Sequence, residues 1–204
     1  MDQKTAIFQL KELGKLAPRE MRLAAEWDED WQVLISTIHS AQTKDETTIN
    51  VCEILFKKYN TSEKLGKAKL SSIIKIIKSI NYYKTKAKNI KETARIISKS
   101  GIPETVEELI LLPGVGRKTA NVYLAEYHKK AAIGVDTHVA RLSFKLGWTK
   151  NTYKHKIEKD LEDLFPKRYW RRINYILVRF GRSIGRSRKQ EDIILKQVKN
   201  SADL

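Results

Sequence analysis

Apolar residues recur at helical spacing along almost the whole chain. Trp31, Leu34, Ile35 and Ile38 make one stripe, and Ile49, Cys52, Phe56 and Tyr59 the next. Leu70, Ile73, Ile74 and Ile77 follow, then Ala87, Ile90, Ala94 and Ile97. The second half continues with Ala120, Tyr123, Leu124 and Tyr127, then Val139, Leu142 and Leu146. Ile157, Leu161, Leu164 and Phe165 form another set, and Trp170, Ile173, Leu177 and Phe180 the last. Steps of three and four residues put each set on one face of a helix, and the period-two alternation of a half-buried strand is missing. Residues 131–135 are apolar enough for a strand but have no partner segment. The expected fold class is therefore all-α.

Turn chemistry separates the stripes at Asn60-Thr61-Ser62, Ser100-Gly101-Ile102-Pro103, Leu112-Pro113-Gly114, Gly147-Trp148 and Phe165-Pro166. These breaks predict about ten short helices. No period of 20–50 residues repeats, so a solenoid is not indicated. Residues 181–204 are rich in Arg, Lys and Ser before an amphipathic piece around Ile193, Ile194 and Val198, which reads as a loosely packed terminal helix.

Lys and Arg number 40 against 24 Asp and Glu, a net charge of +16 over 204 residues. With 41% hydrophobic residues the chain has material for a core, which excludes a disordered or fibrous chain. The surplus repels itself on folding and attracts polyanions, either nucleic acid or an anionic membrane surface. No apolar run reaches the ~18 residues of a membrane span. Met1-Asp2-Gln3-Lys4 lacks the basic-then-apolar order of a secretory signal. The expectation is a soluble, intracellular protein. Cys52 is the single cysteine, which excludes an internal disulfide and a cysteine-rich zinc or iron–sulfur site, and it reads as filler on a helix face.

The segment richest in chemistry is Leu112-Pro113-Gly114-Val115-Gly116-Arg117-Lys118-Thr119-Ala120, a glycine turn feeding a helix. Two glycines permit a sharp turn whose N–H groups face outward beside a helix N-terminus, a ready anion site. A Walker loop needs Gly and Lys adjacent, whereas Arg117 separates Gly116 from Lys118. A dinucleotide fingerprint needs a third glycine where Thr119 stands. A plain glycine C-cap between two helices is the other reading. Against it stand Arg117 and Lys118, because the macrodipole disfavours each cation in a first helical turn by about 0.3–1 kcal/mol. The same field, with neighbouring positive charge, favours the neutral, nucleophilic form of the Lys118 amine.

Eighteen residues after Lys118 comes Val135-Asp136-Thr137-His138-Val139. Asp136 directly precedes a helical stripe and reads as an N-cap carboxylate. Such an aspartate is held rigidly and ionised. That also suits a carboxylate that stabilises positive charge developing on a sugar, or that manages protons for an amine.

Residues 112–120 resemble the helix-hairpin-helix of the endonuclease III family of DNA glycosylases, and residues 135–139 resemble the aspartate segment that follows it. The similarity runs more loosely over residues 31–186. It includes Ser40-Ala41-Gln42-Thr43-Lys44-Asp45 and Tyr83-Lys84-Thr85-Lys86-Ala87-Lys88-Asn89-Ile90. The resemblance implies two helical bundles with the active-site cleft between them. Residues 28–130 would form a six-helix bundle carrying the hairpin, and residues 1–27 with 131–204 a second domain built from both chain ends. It implies Lys118 as catalytic lysine and Asp136 as catalytic aspartate of a DNA glycosylase with abasic-site lyase activity in base excision repair. The implied partner is double-stranded DNA containing a damaged base or abasic site, met by a monomer in the cytoplasm, at the nucleoid, without metal or cofactor.

The resemblance also assigns DNA contacts. Leu112, Gly114, Val115, Gly116 and Arg117 form the implied phosphate grip. Gln42 would enter the gap left by the flipped base, its amide donating and accepting toward the orphaned partner; a buried helix-end glutamine is the alternative. Tyr82 stands where the family carries an aliphatic wedge, so stacking would replace wedging, or else it is a core or surface aromatic. His138 contacts a phosphate or simply packs on its helix, and none of the four histidines has zinc-site spacing.

Family members commonly follow a pair like Gly181-Arg182 with four cysteines binding a four-iron four-sulfur cluster. Here Gly185 stands at the first cysteine's place and no cysteine follows. Arg182, Arg186, Arg188 and Lys189 would then reach DNA by charge alone, against the plainer reading of a solvated tail. Oxidised pyrimidines are the implied substrates, because Gln42 and the hairpin match that branch. The alternatives are a glycosylase for 8-oxoguanine or mismatched bases on the same fold, a non-catalytic hairpin module, and a structural polyanion binder. Lys118 together with Asp136 argues against the hairpin module, since phosphate binding alone gains nothing from a carboxylate.

Overall fold

The computed structural model describes residues 1–184 and 187–201. Among them are twelve helices and no strand: α1 Gln3–Leu16, α2 Asp30–Ser40, α3 Asp45–Lys58, α4 Ser62–Lys67, α5 Leu70–Ile77, α6 Tyr83–Ser100, α7 Val106–Leu109, α8 Arg117–Glu126, α9 Thr137–Leu146, α10 Lys154–Leu164, α11 Lys167–Ser183 and α12 Arg188–Asn200. The all-α expectation holds, and residues 131–135 run without regular structure into α9. Two helices exceed the expected ten. α4 and α7 are six and four residues long, too short to show a complete stripe at helical period. Side-chain oxygens of Asp2, Thr61, Thr105, Asp136 and Ser187 cap α1, α4, α7, α9 and α12.

The chain divides into two compact units, Arg22–His128 on one hand and Met1–Met21 with Lys129–Leu204 on the other. In the first, α2 is nearly enclosed, burying Trp31, Val33, Leu34, Ile35 and Ile38. The rings of Trp27 and Trp31 meet Phe56 edge-on at 4.8 and 4.9 Å, the arrangement favoured by the aromatic quadrupole. Cys52 is fully buried on α3, as a residue filling a helix face should be. α6 packs on α2, α4 and α5 through Ala87, Ile90, Ala94 and Ile97.

In the second unit, α1 buries Ala6, Leu10 and Leu13 and packs along α11, whose Ile173, Leu177 and Phe180 are fully buried. The Trp148 indole N–H donates to Gln9 Oε1 at 2.7 Å inside this core. The two chain ends thereby share one interior. α12 is a helix as expected, but its inward face differs. Glu191, Leu195 and Val198 are buried while Ile193 is 52% exposed. The register follows Glu191, whose enclosed carboxylate takes ion pairs from Arg141 and Lys145 of α9; an unpaired buried carboxylate would be far more costly than an exposed isoleucine. No helix of the described residues is long and apolar enough to cross a membrane.

Candidate active site and DNA interface

The glycine turn of residues 112–116 is fastened to α6. Gly114 has φ +80°, a backbone that excludes most side chains, and a Cβ there would lie 2.9 Å from the Cβ of Asn89. Thr93 Oγ1 donates to the Pro113 carbonyl at 2.8 Å, and the Val115 amide to the Leu112 carbonyl at 3.0 Å. Leu112 and Val115 are each 6% exposed. Their side chains anchor the turn in the core, which leaves main-chain atoms as the groups they can offer a phosphate. Gly116 is the N-cap of α8 with extended backbone, and the direction its Cβ would take is open space.

Arg117 and Lys118 open α8, the first exposed and the second half-buried. The next seven residues of the helix, 119–125, are all buried. Tyr123 Oη lies 3.2 Å from His128 Nε2, and burial raises its phenol pKa well above the usual range. α8 is thus embedded everywhere but at the turn that bears the two cations.

Asp136 is the N-cap of α9, as its position before the stripe predicts, and its Oδ1 accepts from the Val139 amide at 2.8 Å. The approach to it is rigid. Ala132, Ile133 and Val135 are buried, the Asp136 amide donates to the Gly134 carbonyl at 3.1 Å, and Asn174 Nδ2 of α11 donates to the same carbonyl at 2.7 Å. His138, in the first turn of α9, is half-buried. Its Nδ1 lies 3.2 Å from the Arg141 guanidinium, which can only donate, so the contact is a hydrogen bond in the form that has no proton on Nδ1. Burial lowers its pKa, opposed by Asp136 and reinforced by Arg141. The ring rests on Gly181, where a Cβ would come within 2.4 Å of Nδ1. Arg182 is half-buried and Arg188 and Lys189 are exposed; Arg186 lies outside the described residues.

Gln42 and Tyr82 share an unusual backbone. Both are exposed, and both have positive φ, +56° and +57°, a region that costs a residue with a side chain about 1–2 kcal/mol. Gln42 follows α2 and Tyr82 precedes α6. The exposed Gln42 does not match the alternative of a buried helix-end glutamine, and Tyr82, 67% exposed, is not a core aromatic. Asn81 Nδ2 donates to the Gln42 carbonyl at 2.5 Å. Lys86 Nζ donates to the carbonyls of His39 and Ala41 at 2.7 and 2.6 Å and to Thr43 Oγ1 at 3.2 Å.

One stripe of α6 organises the Gln42 turn and the glycine turn within the unit Arg22–His128. Tyr82, Lys86, Asn89 and Thr93 are spaced by four, three and four residues, a single helix face. The first is the exposed ring, the second holds the Gln42 turn, the third lies under Gly114 and the fourth holds Pro113. From Lys64 to Lys91 the sequence has nine lysines and no acid, a cationic surplus of the kind that attracts phosphate without reference to sequence. Sequence alone does not single out Lys86, Asn89 and Thr93, nor Asn81 in the loop before α6. The signal for the first three is a polar helical stripe running beside the apolar stripe of Ala87, Ile90 and Ala94. The candidate residues therefore fall into two groups: Gln42, Tyr82, the hairpin and Lys118 on the unit Arg22–His128, and Asp136, His138 and Arg182 on the other.

The residues do not fit an iron–sulfur cluster. Cys52 is the single cysteine, and its thiol is buried on α3, 3.4 Å from His39 Nδ1. Among the described residues no cluster of His, Cys, Asp and Glu has metal-binding geometry. The position that the family gives to a cluster loop is followed here by α12, pinned to α9 through Glu191.

Residues 35–167 match the HhH-GPD superfamily base excision DNA repair protein family. Endonuclease III of Thermotoga maritima is 42% identical over 177 residues, covering 85% of this chain and 81% of that one. A trapped endonuclease III–DNA covalent intermediate, an estranged-adenine complex, superposes with a TM-score of 0.84 at 31% identity over 92% of this chain and 90% of that one. A thermostable thymine-DNA glycosylase superposes with a TM-score of 0.77 at 25% identity over 91% and 89%. These likenesses agree with the glycine turn, the lysine that follows it and the N-capping aspartate: the chain belongs to the endonuclease III family of the HhH-GPD superfamily of base excision DNA repair proteins.

Proposed function

We propose that Lys118 is the nucleophile and Asp136 its charged partner in the glycosylase and abasic-site lyase chemistry of this chain, and that oxidised pyrimidines are its lesions. The protein is a DNA glycosylase and lyase of base excision repair, and DNA is its partner. The observation that carries the assignment of Lys118 is its place on the first turn of α8, behind a glycine turn locked to α6 by Thr93 and by the contact of Gly114 with Asn89. A nucleophile must be held still relative to the phosphates that position the sugar.

The reaction runs in two stages. The damaged nucleotide leaves the stack, which is easier where damage has weakened pairing. Neutral Lys118 Nζ bonds to C1′ as the glycosidic bond breaks and the base departs with that electron pair, taking a proton. Asp136 stabilises the cationic sugar and accepts a proton from Lys118. Ring opening, with Asp136 returning its proton to O4′, gives a protonated imine; water takes a C2′ proton, the C3′–O bond breaks, and the 3′ phosphate leaves with that electron pair. Water then hydrolyses the imine and frees the lysine. Lys118→Gln should abolish borohydride trapping of the protein on a damaged duplex, and trapping that persisted would refute the assignment.

The lesion class rests on Gln42 and the hairpin sequence. Release assays on thymine glycol, dihydrouracil, uracil and 8-oxoguanine test it, and preferential release of a mismatched base would transfer the reading to the mismatch-specific branch. We propose further that the protein acts as a monomer on nucleoid DNA in the cytoplasm. Light scattering with and without an abasic duplex tests the stoichiometry.

A further inference from the structure

We propose that Lys86 is a positioning residue that sets Gln42 for entry into the DNA stack, acting through the main chain of residues 39–43. The inference rests on the reading of Gln42 as the residue that fills the gap. Lys86 is 7% exposed, and its ammonium has three donors facing three oxygens: the His39 and Ala41 carbonyls and Thr43 Oγ1. Those carbonyls end α2, where backbone acceptors have no intrahelical donor and the dipole favours a cation. Among the described residues no carboxylate pairs with it.

The turn that Lys86 grips is the one that carries Gln42. The Thr43 amide closes it on the Ser40 carbonyl at 3.1 Å, and Asn81 takes the carbonyl of Gln42 itself. The backbone on both sides of a left-handed residue is thus fastened from α6 and its leading loop, while the Gln42 side chain stays exposed. A buried cation has a desolvation penalty that an apolar side chain of the same length would avoid. The ammonium supplies what such a side chain lacks, a rigid three-point hold on the turn.

The test compares Lys86→Met, Lys86→Arg, Gln42→Ala and the double variant Lys86→Met/Gln42→Ala. The probe is a duplex with a tetrahydrofuran abasic analogue opposite 2-aminopurine, whose fluorescence rises when the partner base is estranged. The lyase kcat/KM on a natural abasic duplex gives the rate. Lys86→Met should lose the fluorescence rise and roughly tenfold in kcat/KM, the scale of a misplaced contact group, with Lys86→Arg regaining most of both. The double variant should be no worse than Gln42→Ala, because residues acting through one another are not additive. A Gln42→Ala protein that behaves as the parent would remove the underlying reading of Gln42. An impaired Gln42→Ala beside an unimpaired Lys86→Met, or losses that multiply in the double variant, would overturn the role of Lys86 alone. Should Lys86→Met not fold, Lys86→Gln replaces it with an intermediate loss expected, and no loss would overturn the proposal.

Discussion

The side-chain amide of Asn81 donates to the main-chain carbonyl of Gln42, and this bond joins two left-handed residues that are 40 apart in sequence, since Tyr82 directly follows Asn81. Each adopts a conformation that persists only where its surroundings hold it. Neither side chain is consumed by packing: both are exposed. Backbone strain has been spent on presenting an amide and a phenol ring outward.

Tyr82→Gly removes the strained φ and the ring together. Relief of about 1–2 kcal/mol is set against roughly 0.4–1 kcal/mol from the freer unfolded chain, and an exposed ring gives up little packing. The melting temperature should hold or rise slightly. Excision from a lesion duplex should fall about tenfold or more, because base–aromatic stacking is worth about 1–3 kcal/mol. Equal excision by variant and parent would remove Tyr82 from the inserting residues.

The two hairpin glycines should part company under substitution. Gly114→Ala meets both a positive φ and the Asn89 side chain, so it should destabilise the fold by roughly 1–3 kcal/mol. Gly116→Ala fits its extended backbone and open surroundings and should melt as the parent does, within about 0.5 kcal/mol. Its cost should show in binding, as a several-fold weaker Kd for an abasic duplex, if the proposed phosphate contact lies at Gly116, where a methyl group would fill the open space. Unchanged affinity would move the phosphate contact away from Gly116.

Much of this arrangement can be read in the chain before it folds. The stripe of Trp31, Leu34, Ile35 and Ile38 contains its own packing instruction, and Asp136 before Val139 announces its cap, because both signals are local. What could not be read depends on contacts between segments distant in sequence. Lys86 looks like one more lysine in a basic stretch until α2 places the His39 and Ala41 carbonyls against it. The register of α12 depends in the same way on cations 46 and 50 residues earlier. Ile193 and Ile194 were the stronger local signal, and Glu191 outweighed them through a pairing that periodicity cannot encode.

That pairing makes α12 sensitive to acid. Burial pushes the Glu191 carboxyl up, but hydrogen bonds from Arg141 and Lys145 outweigh it and hold the pKa below the ordinary 4.5. A lowered folded-state pKa means the stabilisation is complete above 4.5 and is lost as pH falls through the folded value. Glu191→Gln should cost roughly 2–3 kcal/mol at pH 7, under the figure for a wholly enclosed pair because both cations reach solvent. The gap between parent and variant in thermal melts should close below pH 4.5. A gap independent of pH would mean that shape, not charge, seats the helix.

The hold of Lys86 on the Gln42 turn should weaken in mild alkali. Burial draws the ammonium from its ordinary 10.5 to about 8. Between those values the unfolded chain binds more protons, so this group favours folding more as pH rises, and its deprotonation does not unfold the protein. The neutral amine, however, has two donors for three oxygens, and the turn loses an anchor. The groups facing it do not mask the change: burial and the Lys86 charge keep the His39 imidazole neutral, its pKa near 3, and burial raises the Cys52 thiol beyond the same range. The 2-aminopurine signal of the parent should therefore decline as pH rises through 8 while that of Lys86→Arg stays level. Coincident profiles from pH 7 to 9.5 would show that the proton on Lys86 has no part in holding Gln42.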